Sequence, residues 1–142
     1  MIPPEPARSL PPRVLLVMPE QWPRALLRAA LRDVGYDALG APGLPGALRY
    51  RADAPGRGPV RLVLVDGQAL GGEAAALLRS LVQRYAGAVT MLLARAIPSA
   101  PAVDAGTVTW TRVVRRPISI ADLVAAVQQL LPLPPAERHP ID

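Results

Sequence analysis

Three short runs of almost unbroken apolar residues constrain this chain more than anything else in it: RVLLVM at 13–18, VRLVLV at 60–65 and AVTMLLA at 88–94. A strand with apolar side chains at successive positions is covered on both faces, the condition of a parallel sheet held between helices. Between the runs the apolar period changes to that of a helix. In WPRALLRAALRDVG (22–35), Leu26, Leu27, Ala30, Leu31 and Val34 share one face, and Arg24, Arg28 and Arg32 line another, read as solvated. Pro23 suits the first turn and Gly35 the C-terminal end. GEAAALLRSLVQRY (72–85) points Leu77, Leu78, Leu81, Val82 and Tyr85 inward, and SIADLVAAVQQLL (119–131) carries Leu123, Val127, Leu130 and Leu131 as its stripe. Ser119 and Asp122 have capping-box spacing at its start.

The remaining segments are weaker. YDALGA (36–41) reads as a second strand, and TVTWTRVV (107–114) includes a fifth. PGLPGALRYRADAPGRGP (42–59) allows one short helix around 45–51 and then a loop. RAIPSAPAVDAG (95–106), with two prolines and no helical period, predicts little or no helix. Strands alternating with helices predict an α/β, doubly wound, three-layer sandwich of flavodoxin-like type. Its parallel sheet has five strands in the order 2-1-3-4-5, and the fourth helix is weak or missing. The domain is placed at 13–131, between Pro-rich tails at 1–12 and 132–142 that have little to bury and are expected to be poorly ordered.

Composition narrows the chemistry. The 142 residues suit one domain, and 51% apolar content suffices for a core. The absence of cysteine removes disulfides, thiolate metal sites and thiol nucleophiles, and the lone His139 sits in the Pro-rich tail. All 16 basic residues are arginine, and the net charge of +5 reads as compositional bias, because no arginine cluster is interleaved with aromatics. Nucleic-acid binding is therefore kept only as the weakest alternative. No apolar run reaches the roughly 20 residues a membrane helix needs, and the N-terminus lacks the apolar core of a secretory signal, so the expected location is cytoplasmic.

In such a sheet the chemistry sits at the carboxyl ends of the strands, beside the reversal of order between strands one and three. Asp66 ends the third strand and Met18, Pro19 and Glu20 end the first. The segments VMPE, VLVDGQALG, LLAR and VVRRPISIADLVAAV, in that order over 13–131, resemble the receiver domain of two-component response regulators. In that family the first strand ends in an acid pair and the third in a phospho-accepting aspartate. The fourth ends in Thr or Ser, and the fifth ends in Lys-Pro. The resemblance puts Asp66 on the phospho-acceptor, Met18 and Pro19 on the acid pair, Leu93 on the hydroxyl residue of the switch, and Arg116 on the lysine.

Those replacements take away most of the groups that the family's reaction uses. Phosphoryl transfer to a carboxylate needs a cation on the transferring group, and Mg²⁺ needs oxygen ligands in near-octahedral array. A thioether and a proline supply none, and Leu93 has no hydroxyl to bond a phosphoryl oxygen. The expectation is a degenerate receiver, a pseudo-receiver with no enzymatic activity and no cofactor. Asp66 is expected to be a structural relic that caps the loop at 67–72 and pairs with Arg116. The chain would then act by binding a protein: a kinase, an output domain or a second copy of itself. In the family, the contact face is the fourth helix, fifth strand and fifth helix. Here that face implies Trp110, Arg112, Val114, Gln128 and Gln129, with Trp110 either an interface anchor or packed against 97–106. The alternative is an atypical phospho-acceptor using Asp66, with Mg²⁺ held by Asp66 and Glu20; Glu20 otherwise caps the first helix. The glycines after Asp66 lack the spacing of a dinucleotide fingerprint.

Overall fold

The computed structural model describes residues 10–72, 74–95 and 108–133. Along the chain it forms β1 (Arg13–Val17), α1 (Gln21–Val34), β2 (Asp37–Ala41), α2 (Leu44–Ala47), β3 (Asp53–Ala54), β4 (Gly58–Asp66), α3 (Ala74–Arg84), β5 (Val89–Ala94), β6 (Arg112–Arg115) and α4 (Ile120–Leu130). The sheet order is β2-β1-β4-β5-β6, all parallel, with the two-residue β3 paired antiparallel to the start of β4. This is the expected doubly wound order with one addition. The segment read as a loop after the second helix turns back at 54–58 as a short hairpin, where Gly56 and Gly58 hold φ of 76° and 84°. Left-handed backbone of that kind favours glycine, and here it lets β4 begin before the apolar run does.

Every residue of β1 is buried, and period-two alternation divides its side chains between two cores. Val14 and Leu16 join Leu27 and Leu31 of α1 and Leu123, Val124 and Val127 of α4. On the other side Leu15 and Val17 join Leu44 and Ala47 of α2 and Leu78 and Leu81 of α3. Burial of each such leucine contributes about 1.5–3 kcal/mol, so the two layers hold the sheet between them.

The helix ends follow local chemistry. Gly35 closes α1 at φ 118°, its N–H donating to Leu31 and Arg32 carbonyls. The Ser119 hydroxyl accepts from the Asp122 N–H at 3.0 Å and starts α4. The second helix is shorter than the sequence suggests, one turn at Leu44–Ala47, because Tyr50 is drawn away to donate to the Gly40 carbonyl at 2.6 Å. On α1 the expected inward set is too wide: Leu26 and Val34 are 55% and 39% exposed, since only one narrow stripe of the helix meets the sheet and α4. Of the expected tails, Pro12 accepts from the Asp37 N–H and Leu133 packs on the core. Residues 1–9 and 134–142 lie outside the described residues, as does nearly all of the segment of the expected weak fourth helix.

Candidate functional site

β1 and β4 are hydrogen-bonded neighbours, with Val17 opposite Val65, so the loops that carry residues 18–20 and 66 emerge side by side at the carboxyl edge. Asp66 is the last residue of β4 and stands opposite Leu93 of β5. It is fully buried. Its Oδ1 accepts from the Gln68 N–H at 2.9 Å and so caps the 3-10 turn Gly67–Ala69. A short acid at a strand end does this readily, because the first N–H groups of a helical turn have no internal partner.

Arg116 completes the site. It follows β6, where its N–H donates to the Ala94 carbonyl, and it precedes Pro117 across a cis peptide. Its Nη1 donates to Asp66 Oδ1 at 2.8 Å and its Nη2 to Oδ2 at 2.7 Å. This two-pronged match of guanidinium and carboxylate is the strong form of an ion pair, and lysine cannot make it. The hydrogen bonds to Asp66 raise the Arg116 pKa above its already high ordinary value; burial opposes this, and the charges of Asp66 and Glu20 add to it.

Both Asp66 oxygens are thereby engaged. Oδ1 accepts two hydrogen bonds, which fills its lone pairs, and Oδ2 accepts one. The carboxylate is closed to solvent. The residues present do not fit the Mg²⁺ that the resemblance implies. Met18 lies in the core, its N–H donating to the Ala41 carbonyl, and Pro19 brings no ligand atom in its side chain. Glu20 is exposed at the N-cap of α1, and its carboxylate makes no capping bond. No group of three or more metal-ligating side chains occurs among the described residues. The groove beside the edge, about 350 Å³ and lined by Pro19, Pro42, Pro45, Gln68 and Ala69 among others, has no acidic side chain in its walls. Leu93 is buried, so the position of the switch hydroxyl is ordinary core.

Two features, one of them a pair of arginines, escaped the sequence reading. Arg24, taken there as solvated, donates to the Met18 carbonyl at 2.7 Å, and Arg28 donates to the Ala38 carbonyl at 2.9 Å. Only Arg32 of that stripe is exposed. Gly67 is the other: a Cβ there would lie 3.2 Å from the Leu93 carbonyl oxygen, so the turn after Asp66 passes close to β5. The four-residue spacing of the arginines on a helix facing strand ends was the signal for the first; nothing local marked the second.

The expected contact face does not form as drawn. Val114 is buried in the core shared by α1 and α4, because alternation along β6 turns it inward. Trp110 is partly buried against the opposite core, lining a small crevice with Val63, Val65, Leu81 and Tyr85. Its contacts with 97–106 fall outside the described residues. Arg112 donates to the Gln129 side chain, and Gln128 and Gln129 are exposed.

No protein-family model matches the sequence, and no curated protein matches it. Solved structures do. A CheY-like response regulator receiver domain from Methanospirillum hungatei JF-1 superposes with a TM-score of 0.69 at 18% identity, over 86% of this chain and 94% of that one. The signal receiver domain of an HD-domain-containing protein from Pseudomonas fluorescens Pf-5 gives 0.66 at 22%, over 84% and 93%. A structure described as an adenylate cyclase from Rhodopirellula baltica gives 0.66 at 20%, over 84% and 87%. The chain therefore has the fold of response regulator receiver domains, and Asp66 stands at the carboxyl edge of its central strand.

Proposed function

We propose that this chain is a pseudo-receiver, a signalling domain of two-component type that acts by binding proteins and without being phosphorylated. One observation carries the reading: the buried Asp66 carboxylate is held on both oxygens by Arg116. An internal guanidinium supplies the positive charge that receiver chemistry otherwise draws from a metal and a lysine. The acid is thus paired without being available. The partner is a kinase, an output domain or a second copy of the chain, the location is cytoplasmic, and the domain is not itself an enzyme. No helix among the described residues is long and apolar enough to cross a membrane.

The test is exposure of the chain to beryllium fluoride with Mg²⁺, and separately to a small acyl phosphate, followed by intact-mass and NMR measurements. No adduct and no shift at Asp66 is the expected result. An adduct abolished by Asp66→Asn would replace this reading with the atypical phospho-acceptor, in which Arg116 swings away and Asp66 and Glu20 hold the metal.

A further inference from the structure

Among the described residues, α1 is the one helix that leaves large apolar side chains exposed. Trp22 is 74% exposed and Leu26 55% exposed, and Ala25 and Ala29 beside them are exposed too. Trp22, Leu26, Ala29 and Asp33 follow one another at steps of four, three and four, the spacing of a two-helix seam. Leu10, Val34 and Val113, the other exposed large apolar side chains, lie off this seam.

We propose that this face binds a second copy of the chain, α1 against α1, antiparallel about a twofold axis. Such an interface must be complementary to itself. With the axis between residues 27 and 28, Leu26 of each copy meets Ala29 of the other, large against small. Trp22 meets Asp33, so the indole N–H has a carboxylate to donate to. The charges also agree. The first turn of α1 has no acidic residue and the Glu20 N-cap side chain makes no bond, so the first N–H groups of the helix have no side-chain acceptor. The antiparallel arrangement brings Asp33 of the other copy to that end. It also brings Arg32, the basic residue of the last turn, to within about 4.5 Å along the axis of Glu20. No side-chain hydrogen bond or ion pair is made by Glu20, Arg32 or Asp33 among the described residues, and the Glu20 charge otherwise acts only at longer range on Arg116.

The size of the face sets the strength. A helix of 14 residues is about 21 Å long, and one such pair buries less than the roughly 800 Å² per partner of a standard interface. The dimer is therefore weak, with a dissociation constant on the order of 10–100 μM. This inference does not depend on whether Asp66 is ever phosphorylated.

Sedimentation equilibrium of the full chain from about 5 to 500 μM tests it, a range that brackets the expected constant. The mass should rise from one copy to two. Leu26→Glu and Trp22→Ala, both at exposed positions, should keep the fold by circular dichroism and remain monomeric. At low salt Glu20→Arg and Arg32→Glu should each weaken association about fivefold, and the two together should restore it. In a Trp110→Phe background, Trp22 emission should shift to the blue as the dimer forms. A monomer at every concentration overturns the proposal and leaves the face to a different protein. A dimer that survives Leu26→Glu, or that is lost instead on Val113→Glu, overturns it as well, and so does a double charge exchange that fails to restore association.

Discussion

Asp66 and Asp37 are carboxylates at opposite edges of the same sheet, each facing arginine, and the two sites are built in opposite ways. At the carboxyl edge the acid is the centre: Asp66 is wholly enclosed, and the two-pronged guanidinium of Arg116 is spent on it. At the amino edge the arginine is the centre. Arg13 is 3% exposed and its Nη1 donates to the carbonyls of Gly58, at 2.9 Å, and Arg51. Its Nε faces Asp37 at 3.8 Å, too far for a hydrogen bond, and has no other partner. Asp37 takes its hydrogen bond from the exposed Arg57. The same two residue types thus make a closed ion pair at one edge and a backbone staple with a loose counter-charge at the other.

This contrast ranks the effects of substitution. Arg116→Ala should be the most damaging, at about 3–5 kcal/mol in urea unfolding, because it strands a charge with no access to water. Pairing it with Asp66→Ala should return much of that loss; if the double variant is no more stable than the single, the pair is not closed as described. Arg13→Met comes next, at about 2–3 kcal/mol, since it removes two hydrogen bonds from a buried guanidinium that tie β1 to the hairpin. Asp37→Asn should cost less than about 1 kcal/mol, as expected of a partly exposed counter-charge, and an effect as large as that of Arg116→Ala would erase the distinction between the two edges.

An effect of similar size concerns buried polar groups that carry no charge. Tyr36 donates to the Leu131 carbonyl at 2.5 Å and Tyr85 to the Ala47 carbonyl at 2.6 Å, and burial raises both phenol pKa values above the ordinary 10.0. The folded state then holds these protons more tightly than the unfolded chain does. Their contribution is complete below about pH 10 and is lost as the pH rises through the raised values. Tyr36→Phe should cost about 1 kcal/mol at neutral pH and flatten the loss of stability in alkaline solution.

Much of this architecture was legible in the residues. Strands buried on both faces announce themselves as unbroken apolar runs, and β1, β4 and β5 were found that way. The position of Asp66 followed from the order of elements, and its pairing with Arg116 from the retention of one acid and one cation where the other polar groups had gone. Two kinds of feature were not legible. The hairpin at β3 rests on glycine backbone angles and two pairing residues, which leave no periodic trace. Burial on α1 and β6 depends on how wide a stripe the neighbouring elements cover, and that is settled by packing. Hence Leu26, classed as core, lies outside, and Val114, classed as surface, lies inside.

The arginine contacts of α1 have a mechanical consequence. Arg24 grips the end of β1 and Arg28 grips β2, and the absence of a side chain at Gly40 leaves room for the stem of Arg24 to lie across that strand. A rod pinned at two points along its length cannot roll about its own axis without releasing both pins. Force applied to its outer surface must instead tilt the β1–β2 margin as one stiff plate, and the loop bearing residues 18–20 travels with it.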